Sequence, residues 1–560
     1  MQNNSFDNQT AEKILQARSI TGHPYDDKLV KERNFYEVFR NNTQKNGEKV
    51  YLTYRYNKEN IRTEISWQEM FATCSKLANY MVENLGIKAC DRVVSFAYNH
   101  PKTVQLAFAC WMIGASYAPL NAGDDDTRIS FVIENTQAKA IFVMPEFVER
   151  YNSIDSGNIP HIIKMAELDT LLDGFSTKFD GENLANHDTE ALVVYTSGTT
   201  GEPKGVILQQ YNLLVEAKAI TDWYNFDTNT KMMLILPIHH VNGLLLTLLT
   251  PVWFGGSVVL NHKFSASTYW QTIEEEKCTV GSVVPTILSF LCEVNEDMTK
   301  RNLGNYFIIC GAGPLTVDLG KRFENTFNVM VNHGYGLSET VVYSCYLPFD
   351  LTPLERKKWM RDYGYPSIGV PIACNEMDIH NENGKTVAEG EKGEIVIRGH
   401  NIMECYFNRP EANADTFINN WFRSGDEGFY KVDTNPAHPN RKFFFITGRL
   451  KELIIRGGVN YSPLEIDEVI NAIDGVKAGM AVGFENNFYG EEIGTYIQKE
   501  EGSSITEQEV ITACSSLPFA KRPKVVIFGD DFPVTATGKY QRNKLKYLFK
   551  DYKDSQFSQR

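Results

Sequence analysis

This sequence predicts an α/β fold of parallel sheets covered by helices, on three observations. Short apolar runs alternate with helix-period segments over most of the chain, as in parallel strands joined by covering helices. The texture then shifts twice, near residue 372 to short strands and turns, and after residue 448 to compact α+β patterns. Finally, 560 residues are too many for one core, so two or more domains are expected.

Each element has its own warrant. Residues 66–81 place apolar side chains at helical spacing behind Ser66, with Glu69 three places on, as in a capping box. Residues 92–97 read as a strand, 103–114 as a largely buried helix and 140–143 as another strand. Ala191-Leu-Val-Val194 reads as a buried strand running into a loop, and residues 328–331 are strand-like. From about Ile372, residues 377–380, the turn Asn383-Gly384 and residues 394–398 suggest a smaller β-rich unit. The lysine-bearing stretch 544–553 reads as a solvated helical face, and no internal repeat interrupts the pattern.

Composition removes several classes of function. A formal charge of −14 offers no wide basic field for nucleic acid. Ten cysteines stand singly, as expected of reduced thiols. Residues 1–20 are polar and lack the apolar core of a secretory signal. The apolar stretch around residues 243–249 is too short to span a bilayer. The final Ser-Gln-Arg560 is not a peroxisomal address. A cytoplasmic protein, monomeric or a homodimer, is the expectation.

The most informative stretch is Tyr195-Thr-Ser-Gly-Thr-Thr-Gly-Glu-Pro-Lys-Gly205. It offers the hydroxyls of Thr196, Ser197, Thr199 and Thr200, the glycines Gly198 and Gly201, and the mobile cation of Lys204. Glycines admit close backbone approach, and successive N–H groups in such a loop form an anion nest, which suits a polyphosphate. A polar surface turn is the plainer alternative, but it has no use for so many donors. The common Gly-x-x-x-x-Gly-Lys-Ser/Thr loop is absent, and Gly538-Lys539 is followed by Tyr540 rather than a hydroxyl for magnesium. Gly336-Leu-Ser338-Glu339 breaks the hydrolase Gly-x-Ser-x-Gly pattern. Neither His-Glu-x-x-His nor paired Cys-x-x-Cys occurs, which argues against zinc.

Four further segments carry chemistry. Asn332-His-Gly-Tyr335-Gly336-Leu-Ser338-Glu339-Thr340 sets a flat ring beside glycines, a nucleotide slot, and offers a lone carboxylate of the kind that holds magnesium with substrate phosphates. Ser424-Gly425-Asp426 presents a paired-oxygen acceptor, although Gly-Asp-x-Gly is also a common turn. The string from Gly448-Arg449-Leu-Lys451 through Arg456-Gly457-Gly458 to Glu468 combines charge with a glycine turn. Pro533-Val-Thr-Ala-Thr537-Gly538-Lys539 ends on a lysine beside a flexible glycine.

Together with Pro237-Ile-His239-His240-Val241-Asn242-Gly243, these segments resemble, in order and spacing, the motifs of the adenylate-forming superfamily: acyl-CoA synthetases, peptide-synthetase adenylation domains and beetle luciferases. The resemblance covers nearly the whole chain, with residues 1–180 carrying only the general pattern. It implies a large N-terminal part (1–448) of two α/β subdomains plus a β-barrel, then a small mobile α+β lid (449–560). It places ATP on residues 196–201, Lys204, the turn Gly311-Ala312-Gly313, Tyr335 against adenine, Gly336, Ser338 at the α-phosphate, Asp426 at the ribose and Arg449 beside it. Magnesium falls to Glu339 and Thr196, and the acyl pocket to His240, Val241, Gly313 and Gly336. Lys451 becomes the hinge, and Gly457 and Gly458 line the pantetheine tunnel for coenzyme A. Lys539, with Glu339, Ser338 and His240, becomes the catalytic set.

The implied reaction joins a carboxylic acid to ATP as acyl-AMP, then to the thiol of coenzyme A. Val241, the run Leu244-Leu-Leu246 and the Gly311–Gly313 turn suggest an apolar acid such as a medium or long fatty acid, with an aryl or polyketide-like acid left open. Loading of an acyl carrier protein is the neighbouring alternative. A nucleotide-binding scaffold without catalysis is the alternative from another class, against which intact Lys539, Glu339 and Asp426 argue.

Overall fold

The computed structural model describes residues 6–154, 157–196, 202–294, 296–534 and 540–557. Two sheets form the bulk of the molecule. The first runs, from edge to edge, His161–Lys164, Ala140–Val143, Arg92–Phe96, Ser116–Pro119, Glu190–Thr196, Lys204–Gln209, Cys405–Tyr406. Its first five strands are parallel, and the last two are added antiparallel. The second has nine strands, with a parallel centre that includes Val280–Val283, Phe307–Cys310 and Val331–Tyr335. The expected alternation is therefore realised twice.

Local signals explain the element ends. Helix Trp67–Glu83 carries the full Ser66/Glu69 capping box. Helix Pro101–Ile113 begins two residues before the sequence expectation because Pro101 takes the first turn behind the His100 cap, and it closes on left-handed Gly114. The strand expected at 328–331 begins only at Val331. Asn328 instead adopts a left-handed conformation that ends helix Val317–Phe327. The 544–553 stretch lies in a 3₁₀ helix, Arg542–Tyr552, that buries Leu545 and Phe549 and leaves Lys544, Lys546 and Lys550 exposed.

The third sheet is antiparallel and pairs Asn375–His380, Gly393–Gly399, Trp421–Val432, Phe417–Ile418 and Lys442–Arg449. The fourth holds Ile454–Arg456, Val459–Tyr461, Val476–Asn486, Gly490–Lys499 and Val525–Phe528. The apolar cores divide at the same place. Two clusters draw on residues up to Ile446, and two smaller ones draw only on Ile454 and beyond. Among the described residues no helix is long and apolar enough to cross a membrane, and the ten cysteines form no disulfide.

Candidate active site

The two ends of the Tyr195–Gly205 segment lie on paired strands. Glu190–Thr196 and Lys204–Gln209 pair antiparallel, with Thr196 opposite Lys204. Ser197, Gly198, Thr199, Thr200 and Gly201 lie outside the described residues. The hairpin base is tight: a Cβ on Gly205 would sit 3.2 Å from the Tyr195 ring and from Val193. Lys204 Nζ lies over the Tyr406 ring, 4.7 Å from its centroid. Burial lowers the Lys204 pKa, with Lys451 and Arg409 pushing the same way and Glu339 opposing them.

The adjoining wall comes from the carboxyl ends of two parallel strands in the second sheet, where open α/β sheets form ligand crevices. Phe307–Cys310 leads into Gly311-Ala312-Gly313, and Val331–Tyr335 leads into Gly336 to Tyr343. Backbones approach too closely here for side chains. A Cβ on Gly311 would stand 2.5 Å from Tyr343 Oη, and one on Gly336 would stand 2.3 Å from the Val342 carbonyl. Ala312 accepts a left-handed backbone at φ 61°, which makes the turn sharp.

Ser338, Glu339 and Thr340 form one 3₁₀ turn. Glu339 is buried, and its Oε1 accepts the Tyr406 hydroxyl at 2.7 Å. Burial and this carboxylate push the Tyr406 hydroxyl pKa well above its ordinary value, so it remains a donor. The donors that the two segments carry, the Glu339 carboxylate and the Thr196 hydroxyl, are hard oxygens. No cluster of three His, Cys, Asp or Glu occurs among the described residues. That set fits Mg2+ held chiefly by substrate phosphates and water rather than by a protein cage.

Tyr335 points its hydroxyl at Asp426, 2.6 Å from Oδ2. Asp426 and Arg449 are cross-strand partners, with Nε 3.6 Å from Oδ1. Burial raises the Asp426 pKa, while Arg449 and the Tyr335 hydrogen bond pull it down.

The histidine turn closes the far end. Asn99 Oδ1 accepts from Ile238 N–H, and Pro237 O accepts from His240 N–H. Behind it, Asn242 contacts Tyr343 Oη at 3.2 Å and accepts from Ser282 at 2.6 Å. His240 and Val241 are thereby tied to the segment bearing Gly336 and Ser338. His239 packs on His240, ring centroids 4.5 Å apart, and burial lowers its pKa to about 4, so it is neutral. Leu244, Leu245 and Leu246 are fully buried in the main core within a π-helix, Asn242–Leu249. Their apolarity serves packing and carries no information about an acid.

Three further expected participants are the Gly457-Gly458 turn, Lys451 and Lys539. Gly457 and Gly458 form the exposed turn between Ile454–Arg456 and Val459–Tyr461, at φ 60° and 79°, and a Cβ on either would meet nothing within 4 Å. Lys451 is exposed just beyond Arg449, close enough to Lys204 to bias its charge. Lys539 lies outside the described residues. The residues flanking it, Val534 and Tyr540, bridge to each other, and Tyr540 lines a cavity of about 120 Å³ with Pro314, Thr316 and His333. Tyr540 thus stands in one cavity with Pro314, the residue after the Gly311–Gly313 turn.

Tyr406 and Tyr343 carry no signal in the linear pattern. Tyr406 sits in a two-residue strand, too short for any periodicity, and Tyr343 follows a turn whose Val341 takes φ 64°.

Comparison with known proteins gives the family and the fold. The family described as AMP-binding enzyme matches residues 39–407. The chain is 32% identical over 480 residues to an oxalate–CoA ligase of Arabidopsis thaliana, covering 83% of this chain and 90% of that protein. It is 30% identical over 467 residues to a sulfoacetate–CoA ligase of Cupriavidus necator, covering 82% and 88%. Among solved structures, ATP-bound MatB from Rhodopseudomonas palustris superposes with a TM-score of 0.82 at 25% identity, covering 93% of this chain and 100% of that one, and its apo form gives 0.71. With well over half of its length inside the family match, the chain belongs to the AMP-binding, adenylate-forming enzymes.

Proposed function

We propose that the protein is an acid–thiol ligase that forms acyl-AMP and then acyl-CoA. The observation that carries this is the convergence of a cation, a carboxylate and a ribose-type acceptor at one cleft. Lys204 and Glu339 meet through Tyr406, while Tyr335 joins Asp426 and Arg449. The names of the two CoA-ligase relatives support the thiol acceptor.

In the first half-reaction a carboxylate oxygen attacks the α-phosphorus of ATP, and pyrophosphate leaves. The hairpin 196–204 holds the departing phosphates, Tyr335 flanks adenine, Asp426 accepts from the ribose hydroxyls, and Ser338 donates to the α-phosphate. Glu339 and the Thr196 hydroxyl would hold Mg2+, which when bound would supply charge neutralisation at the phosphates. Lys539 bridges the two anions, where extra negative charge develops. In the second half-reaction the thiol attacks the acyl carbonyl and AMP leaves. Splitting the step through a mixed anhydride makes each part easier.

We assign residues 1–448 to a large domain and 449–560 to a lid turning about Lys451, a reading supported by the divided cores. Tyr540 sharing a cavity with Pro314, with Gly457 and Gly458 exposed, supports an adenylating arrangement here. Rotation would then exchange Lys539 for the glycine turn. For the acid, Val241 and neutral His239 support an uncharged lining at the cleft end, hence an apolar acyl group.

The test is acid-dependent ATP–pyrophosphate exchange over a panel from oxalate and sulfoacetate to medium-chain and aryl acids, followed by thioester formation. Exchange with no acid tested would leave a nucleotide-binding scaffold. Exchange with thioester only on a carrier protein would replace CoA as acceptor. Selective exchange with the small dianions would overturn the apolar acid. Lys539→Ala should abolish exchange while preformed acyl-AMP still reacts with thiol.

A further inference from the structure

Tyr406 stands between the two charged groups that the ligase reading assigns to phosphate and metal. Its backbone is clamped, since Asn413 Oδ1 accepts its N–H at 2.8 Å and Asn413 Nδ2 donates to its carbonyl at 2.9 Å. It is also in the ladder of the first sheet, opposite Val206, two residues beyond Lys204. Asn413 itself is buried, so this anchor is rigid.

From that anchor the side chain does two things. Its ring face receives the Lys204 ammonium at 4.7 Å, and its hydroxyl donates to Glu339 Oε1 at 2.7 Å. Lysine is a flexible point charge on a four-carbon stem, and an aromatic face narrows where that charge rests. A glutamate in a 3₁₀ turn has rotamer freedom of its own, and a hydrogen bond to one oxygen fixes which way the other points. Glu339 is further tied down by Met403 N–H, which donates to its main-chain carbonyl at 2.8 Å.

We infer that Tyr406 is the positioning residue that sets Lys204 and Glu339 at a fixed separation, so that the phosphate cation and the metal-facing carboxylate act as one unit. This rests on the ligase reading for the roles of the two groups, but not for their geometry. Tyr406 acts through these two neighbours.

Two substitutions separate its two contacts. Tyr406→Phe keeps the ring under Lys204 and removes the hydroxyl from Glu339, and Tyr406→Leu removes both. Metal-free ATP binding is measured by calorimetry, Mn2+ uptake into the ATP complex by water-proton relaxation, and the Mg2+ requirement by the exchange assay. Tyr406→Phe should weaken Mn2+ uptake and raise the half-saturating Mg2+ about tenfold, with metal-free ATP affinity within about twofold of native. Tyr406→Leu should weaken metal-free ATP binding as well. A Phe variant with native Mn2+ uptake would overturn the inference. So would one whose ATP affinity, Mn2+ uptake and unfolding midpoint all fall together, because a purely structural role predicts that. If the native chain shows no exchange with any acid, the ligase reading fails, and the calorimetric and relaxation measurements still decide the role of Tyr406.

Discussion

The hydroxyl of Tyr335 donates to Asp426 across 2.6 Å, joining the last parallel strand of one sheet to a strand of the antiparallel unit. This bond fixes a flat ring and a ribose-type acceptor relative to each other before any nucleotide arrives. Tyr335→Phe leaves the buried Asp426 one donor short, at a cost of about 1–3 kcal/mol. The expected outcome is a raised KM for ATP, with kcat for exchange changed less, and a lower unfolding midpoint. Steady-state exchange with ATP varied and a denaturant titration measure both.

Two glycines should respond in opposite ways. Gly336→Ala drives a methyl to 2.3 Å from a carbonyl oxygen, so the turn bearing Ser338 and Glu339 must shift and exchange should be lost. Gly458→Ala meets open space and pays only for its left-handed backbone, about 1 kcal/mol. Exchange should then stay near native, while thioester formation from preformed acyl-AMP falls. Measuring the two half-reactions separately on both variants checks the contrast.

Contact between the lid and the large part should depend on pH through Glu468. Its Oε1 accepts Asp318 N–H at 3.3 Å, at the start of helix Val317–Phe327. Burial, with Asp318 and Asp467 adding, raises its pKa from 4.5 to about 7, and backbone N–H groups of Asp318 and Val317 oppose the rise. Lys321 lines the same groove. A carboxyl raised in the docked state favours docking most below its free value. That advantage is lost as pH rises from about 4.5 through about 7. Limited proteolysis or a distance label across Lys451 should therefore report a looser lid at pH 8 than at pH 5.5. Glu468→Gln should flatten the dependence.

The lid has a buried ion pair at its centre. Arg542 donates to both oxygens of Asp467, at 2.5 and 3.1 Å, with both side chains buried. Arg542→Met strands a buried carboxylate, and the lid should lose about 3–5 kcal/mol. Replacing Asp467 with Leu as well should recover most of it. Denaturant unfolding followed by lid-specific hydrogen exchange distinguishes the two variants.

Much of this was legible in advance because it is local. Ser66 with Glu69 marks a helix start, and the helix carries both capping-box bonds. Gly336 marks a place where backbones must meet, and Val342 is found there. Asn328 misled, since a polar residue tolerant of left-handed backbone ends a helix as readily as it precedes a strand. The leucines 244–246 misled for another reason. Apolar character is equally required by a core and by a pocket, and only packing tells them apart; here the core holds them.

The family, the α/β plan and the residue types at the cleft were readable from the chain, because those depend on local periodicity and on motif chemistry read in order. That Tyr406 stands between Lys204 and Glu339, and that Tyr335 meets Asp426, emerges from the packing alone. The packing also leaves Gly457 and Gly458 in solvent and sets Tyr540 in one cavity with Pro314. The physical reason is the range of the interactions. Tyr406 and Glu339 are 67 positions apart and Tyr335 and Asp426 are 91. A hydrogen bond between such residues is fixed by how sheets pack, and a linear pattern holds no record of it.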